Sequence, residues 1–218
     1  MGVSTYYLGL PRSALDAIRA EEGCFATLQL LWHEGAGAWT APSEFDRAQL
    51  VEFAGDLPLN SDVGVVVDAY VRLIREANAN HPAIVQQRAY VENTHAYLEA
   101  VLTHHLRGQR IEEAVPLATS AVSGGGGGGE AVGSLWCLSE QTVKRIGEAL
   151  RGADAATLLA VLPTFSQELA ADLDWMSPEE RLEHLRTLST DEDLVGELEE
   201  LITLYCGAAT TGHVILLG

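Results

Sequence analysis

The sequence predicts a helix-dominant α+β fold in which a small sheet joins an N-terminal and a C-terminal strand. Apolar residues recur mostly at helical spacing, while β-favouring segments stand at the two ends, Val3 to Leu10 and His213 to Leu217. The chain shows no fixed-period repeat and no alternation of strands with helices, so a parallel sheet is not expected. With 218 residues, 47% hydrophobic and 20% charged, we expect one globular domain over residues 1–218, with or without an insertion.

The first half of the chain predicts helices after the opening strand. Pro11 ends that strand, and the apolar period of Val65 to Ala77 indicates a helix. The segment from Ala83 to Leu106 contains neither glycine nor proline, and its apolar residues form one stripe. This pattern predicts a single long helix, which Gly108 is expected to end.

Six consecutive glycines, Gly124 to Gly129, predict a flexible loop over residues 123–133. A phosphate-binding loop is the alternative for such a run, but that motif requires a lysine and a hydroxyl at the start of a helix. Here Glu130 follows the glycines, and its carboxylate would repel phosphate. Leu135 to Leu138 then predicts a short strand.

The final third predicts a series of short helices marked by capping residues. Ser139 is expected to cap a helix over Glu140 to Leu150. The run Ser177 to Glu180 places a serine before a helix, a proline at its first position and a glutamate at its third, which is the pattern of a capping box. Thr190 is expected to open the last helix, with Tyr205 on its inner face.

The net charge limits the kinds of partner. Thirteen Lys and Arg against 31 Asp and Glu give −18, and such a chain has few of the cations that bind phosphate backbones. We therefore expect neither a nucleic-acid partner nor an anionic membrane partner. From Leu150 to Gly218, 13 acids stand against three arginines, a local net charge of −10. This excess favours a basic protein partner; the alternative is that the charge only keeps the protein soluble.

The cysteines and the N-terminus predict a cellular compartment. Cys24, Cys137 and Cys206 form no CxxC pair, which disfavours a disulfide framework and a zinc site. The N-terminus has no basic region before an apolar run, and no apolar run reaches about 18 residues. We expect a cytoplasmic protein with no cofactor and no structural metal.

Four aromatic and imidazole side chains are candidates for ligand binding. Trp32, His33, Trp39 and Trp136 lie in irregular segments that contain glycine, where proteins often display binding residues. Packing in the core is the alternative for all four.

Two further sets of side chains could carry chemistry. On the predicted long helix, Glu92, His95 and Glu99 would share one edge and could present two carboxylates and an imidazole to a divalent ion. The alternative is that they are ordinary polar residues at the edge of a helix. Cys206 and His213 could form a nucleophile and its base, or Cys206 could be a small apolar side chain of the last helix.

Several stretches carry a family resemblance in a fixed order: Met1 to Leu8, Pro116 to Gly125, Gly133 to Val143, and Leu201 to Leu217. Together they resemble the YfbM-like family, a bacterial domain of unknown function. That family has a Trp-His pair on the helix before the glycine loop, and Thr94-His95 is the matching pair here, with threonine in place of tryptophan. The resemblance implies a cytosolic α+β domain without an established reaction, and it makes His95 a candidate site residue.

These observations predict a binding protein rather than an enzyme, an immunity- or antitoxin-like chain that masks a basic surface of another protein. The alternative is a small-molecule enzyme or sensor. Its pocket would combine the Trp32 to Trp39 segment, the helix edge at His95 and the glycine loop.

Overall fold

A computed structural model describes residues 4–13, 15, 16, 51, 52, 55, 62–65, 67, 68, 88–92, 94–111, 129–132 and 135–217. The chain divides into two compact units. One consists of Met1–Gly9 with Arg88–Gly218, and the other of Leu10–Gln87. In sequence, the second unit is therefore an insertion into the first.

The first unit contains a small sheet. Its strands are Ser4–Leu10 (β1), Arg88–Glu92 (β2), Gly129–Val132 (β3), Leu135–Leu138 (β4) and Val214–Leu217 (β5). The strand order is β2-β1-β5-β4-β3, and the pairs β1–β2, β3–β4 and β4–β5 are antiparallel. Since β1 and β5 are neighbours, the sheet joins the two terminal strands, which confirms the predicted fold class. The central strand β5 is buried along its whole length.

The predicted long helix from Ala83 to Leu106 is wrong, because Arg88–Glu92 within that range forms β2. This strand pairs with β1, with Glu92 opposite Ser4 and Arg88 opposite Leu8. The segment includes tyrosine and valine, which favour extended backbone, and the partner strand lies some 80 positions earlier in the sequence. The helix α1 covers only His95–Gly108 and ends at the predicted glycine.

The end of the glycine run belongs to the sheet. Gly129 is the first residue of β3 and lies opposite Leu138, so the predicted loop does not extend over residues 129–132. A Cβ at Gly129 would overlap the indole nitrogen of Trp136 and lie 2.6 Å from the carbonyl oxygen of Cys137. Glycine is therefore needed at this position. Residues 123–128 lie outside the described residues. The predicted strand over residues 135–138 is confirmed as β4.

Four helices follow β4: Glu140–Leu150 (α2), Ala155–Leu159 (α3), Pro178–Leu188 (α4) and Glu192–Thr211 (α5), with short 3₁₀ turns at Leu162–Phe165 and Glu168–Ala170. Ser139 caps α2 by accepting from the backbone N–H of Thr142. Both reciprocal bonds of the predicted capping box are present at α4. The cap of α5 is Asp191 rather than Thr190, because its carboxylate accepts two backbone N–H groups.

The core of the first unit lies between α1, α2, α5 and the sheet. Helix α5 packs against α2, α3 and β2, while α1 packs against α3 and the first 3₁₀ turn. The inner face of α1 carries leucine and valine at helical spacing, and the inner face of α5 is mostly leucine. Among the described helices, none is both long and apolar enough to cross a membrane.

Of the second unit, the structure describes three short helical stretches, within residues 12–16, 51–55 and 63–68. Leu15 and Val67 are fully buried. Helical backbone begins at residue 63, two residues before the predicted start at Val65, and Asp62 accepts a hydrogen bond from the backbone N–H of Val65 at 3.1 Å. Residues 66 and 69–77 of the predicted helix lie outside the described residues.

Candidate functional site

The predicted site residues are divided between described and undescribed parts of the chain. Trp32, His33 and Trp39 lie outside the described residues. His95 and Glu99 lie on α1, and Trp136 lies half-buried on β4. The meeting of the aromatic segment with α1 thus stays a prediction.

His95 is the first residue of α1, and its side chain is only 6% exposed. Burial lowers the pKa of this imidazole from its ordinary value, because the charged form is less well solvated inside the protein. Glu92 belongs to β2, so the predicted helix edge of Glu92, His95 and Glu99 does not exist. His95 and Glu99 remain one turn apart on α1.

The N-terminus of α1 is linked to α5. Thr94, the residue before the helix, makes no local side-chain cap. Its hydroxyl instead donates a hydrogen bond to the carboxylate of Glu197 on α5. A carboxylate near a helix N-terminus is favoured by the helix dipole, so Glu197 stabilises α1 from a neighbouring element, directly beside His95.

Two buried tyrosines lie close to each other, and one of them, Tyr7, also lies near Glu99. Tyr7 of β1 is 1% exposed and Tyr205 of α5 is fully buried. Burial raises the pKa of Tyr7 well above its ordinary value, and the nearby Tyr205 and Glu99 raise it further. Burial also raises the pKa of Tyr205. Neither hydroxyl has a hydrogen-bond partner in the described part of the structure.

We call these side chains the inner polar cluster: Tyr7, Thr94, His95, Glu99, Glu197 and Tyr205. Both phenols stay protonated at neutral pH, and burial favours the neutral imidazole of His95. Its large members are also enclosed, which leaves little access for a substrate. The cluster is therefore better suited to orienting β1, α1 and α5 than to bond-making chemistry.

The cysteine on α5 does not have the features of an activated nucleophile. Cys206 is half-buried, and its thiol donates to the carbonyl oxygen of Gly147 at 3.5 Å. Burial raises the pKa of the thiol, although Arg151 opposes this effect. Since the thiolate is the reactive form, this supports the apolar role for Cys206. Among the described residues, no group of three or more His, Cys, Asp or Glu is arranged to hold a metal ion.

Sequence reasoning missed the most exposed aromatic side chain of the described residues, Trp175, which is 72% exposed. It follows Asp172 and Asp174, both exposed, and lies just before the capping box of α4. The available signal was a tryptophan between acidic residues, immediately before a strong helix start.

The segment around Trp175, residues 166–177, is named here the Trp175 turn. Its conformation is held by Arg181 of α4, whose guanidinium donates to the carbonyl oxygens of Ser166 at 3.1 Å, Met176 at 3.3 Å and Leu173 at 3.4 Å. Leu173 is 3% exposed and anchors the turn in the core. The turn is thus fixed from inside while the indole faces solvent.

No protein-family model, curated protein or solved structure matches this chain. The functional argument therefore rests on the residues and their geometry.

Proposed function

We propose that this chain is an acidic binding protein that masks a basic surface of another protein, as an immunity protein or antitoxin does. The observation that carries the proposal is the exposure of the acidic side chains after Leu150. All 13 are exposed except Asp191 and Glu197, which are half-buried. Such a surface favours a positively charged partner.

The nearby cations do little to neutralise this surface. The guanidinium of Arg181 is directed at backbone carbonyls of the Trp175 turn. Arg186 forms an ion pair with Glu183 at 3.3 Å, within one turn of α4. Only Arg151, at the beginning of the segment, remains as a third cation. Within residues 150–218, the acidic side chains therefore outnumber the basic ones by ten.

Charge of this kind acts mainly on the rate at which two proteins meet and on the choice of partner. Apolar or aromatic anchors supply most of the affinity. The small-molecule alternative depends on the Trp32 to Trp39 segment and on access to His95, which is buried.

The test begins with a pull-down from source lysate at low salt, followed by purification of the recovered protein and measurement of its association rate. We expect a basic partner whose association slows about tenfold or more between low and physiological salt. Glu199→Gln with Glu200→Gln should slow association about twofold.

The matched control is Glu52→Gln with Glu148→Gln, which changes the charge equally at exposed positions before residue 150. This double variant should associate at nearly the wild-type rate. Recovery of no basic partner, or association that is insensitive to salt, would overturn the proposed function.

A further inference from the structure

We infer that the Trp175 turn is the docking surface for the basic partner, and that Trp175 receives a lysine or arginine side chain of that partner on its indole face. This inference rests on the proposed function and identifies the contact that would supply affinity. It begins from the exposure of Trp175, because a large aromatic side chain in water has apolar area available for burial on binding.

The exposure of Trp175 does not come from a loosely packed segment. Leu169 and Leu173 on the same turn are 5% and 3% exposed, and the partly buried Met176 packs against the core. Arg181 ties the carbonyl oxygens on both sides of the turn to α4. A surface that is ordered before binding loses little conformational entropy when a partner docks.

The charges around the indole select a cationic occupant. Asp172, Asp174 and Glu179 are exposed within four residues of Trp175, and Glu168 lies on the same turn. A cation above an indole is attracted by the negative face of the ring, and tryptophan is the best aromatic residue for this contact. The surrounding carboxylates would hold the same cation.

The same charges disfavour other occupants. A second copy of the chain would bring another segment with a net charge of −10 against this one, and like charges repel. An anionic membrane or a nucleic acid would be repelled for the same reason. A basic protein segment can place a cation on the indole face and also form ion pairs with the surrounding carboxylates.

The experiment uses the tetrapeptide acetyl-Arg₄-amide as a probe and follows the indole N–H signals of the ¹⁵N-labelled full chain by NMR. The Trp175 signal is assigned by its loss in Trp175→Phe. We expect that signal to shift saturably with the peptide, while the signal of half-buried Trp136 stays in place.

The affinity for the peptide can also be measured from the backbone amide signals of Asp172 and Asp174. It should fall about threefold in Trp175→Ala. Trp175→Phe should lose less, since a phenyl ring binds cations more weakly than an indole. An unchanged Trp136 signal shows that each variant remains folded. The matched control peptide is acetyl-citrulline₄-amide, which has the shape of the arginine peptide without its charge and should produce no shift.

A Trp175 signal that does not move with the arginine peptide would overturn the inference, as would an equal shift with the citrulline peptide. Neither result affects the salt and charge test of the proposed function, which is measured on the purified partner. A salt-sensitive partner that binds Trp175→Ala as tightly as wild type would leave the proposed function in place and overturn only this docking surface.

Discussion

The inner polar cluster and the Trp175 turn differ in opposite ways from the usual pattern, in which polar groups face water and apolar groups are buried. Tyr7 and Tyr205 enclose their hydroxyls in the core, without a partner in the described part of the chain. Trp175 holds its ring in water. A buried unpaired hydroxyl lowers stability, whereas an exposed indole leaves favourable burial unused. The inner polar cluster therefore has a structural role in the core, whereas the exposed indole of the Trp175 turn does not contribute to folding and is available for binding.

The largest expected effect is a loss of stability at the contact between α2 and α5, next to Tyr205 of the inner polar cluster. A Cβ at Gly147 would overlap the carbonyl oxygen of Tyr205 and lie 2.5 Å from the Cβ of Ala209. Gly147→Ala should therefore lower the free energy of unfolding by about 3 kcal/mol, since α2 and α5 cannot separate without loss of core packing. Urea unfolding measures this change.

The control for that prediction is Gly196→Ala on α5, where a Cβ would meet nothing within 4 Å. Alanine is the better helix former, so this variant should be more stable by about 0.5–1 kcal/mol. Equal effects of the two substitutions would show that the contact between α2 and α5 is looser than described.

The next largest effect is expected at the Trp175 turn. Arg181→Met removes three hydrogen bonds to the Trp175 turn and should lower the free energy of unfolding by about 2 kcal/mol. Amide hydrogen exchange should also increase within residues 166–177. Arg186→Met removes only an exposed ion pair and should cost about 0.5 kcal/mol or less. If both variants behave alike, the turn is held by its apolar anchors rather than by Arg181.

A smaller effect, of opposite sign, is expected at the buried phenol. Tyr205→Phe removes a hydroxyl without a described partner and should leave stability unchanged or raise it by about 1 kcal/mol. Tyr97→Phe is the control, because that hydroxyl lies 3.5 Å from Nε2 of His184; its loss should lower stability by about 0.5 kcal/mol. A larger loss for Tyr205→Phe than for Tyr97→Phe would show that the buried hydroxyl has a partner.

The same tyrosines predict a loss of stability at alkaline pH. Their folded pKa values are raised above the ordinary value of 10.0, so the unfolded chain releases these protons more readily than the folded chain, and the folded protein should lose stability as the pH rises above 10. Tyr7→Phe with Tyr205→Phe should reduce this decline in thermal unfolding measured from pH 9 to pH 11. An unchanged decline would assign it to other groups.

The smallest effect is expected at His95. Burial lowers its pKa below the ordinary value of 6.5, so the unfolded chain binds the proton more readily than the folded chain does. Stability should therefore be lost as the pH falls below about 6.5. His95→Gln should show a weaker decline than wild type between pH 7.5 and pH 5.5, and replacement of the exposed His104 by glutamine serves as the control. A decline that is equal in all three proteins would contradict the prediction.

Local signals in the sequence predicted the fold best. The caps at Ser139 and Ser177 depend on residues within one helical turn, and both are present. The helix predicted from Ala83 failed because β2 depends on pairing with β1, and periodicity within one segment contains no information about a distant partner. The apolar run of β5 predicted the strand itself, but it did not predict that this strand lies at the centre of the sheet.

The candidate site divides in the same way. His95 and Glu99 could be identified from one helix, whereas Tyr7, Glu197 and Tyr205 join them from β1 and α5 only after folding. Trp175 belongs to a turn that Arg181 holds from α4, and this contact exists only in the folded chain. Exposure is a property of the whole fold, and no local pattern determines it.

The contact between Gly129 and Trp136 has a consequence for inherited variation. A run of identical residues is a place where copying errors add or remove a unit, and any such change would normally shift the register of the strand that follows. Here the loss of one glycine from residues 124–129 still leaves a glycine directly before Glu130. The position opposite Leu138, where a Cβ would meet the indole, is therefore always refilled by the same residue. The repeat thus makes this edge of the sheet tolerant of the gain or loss of a whole glycine codon.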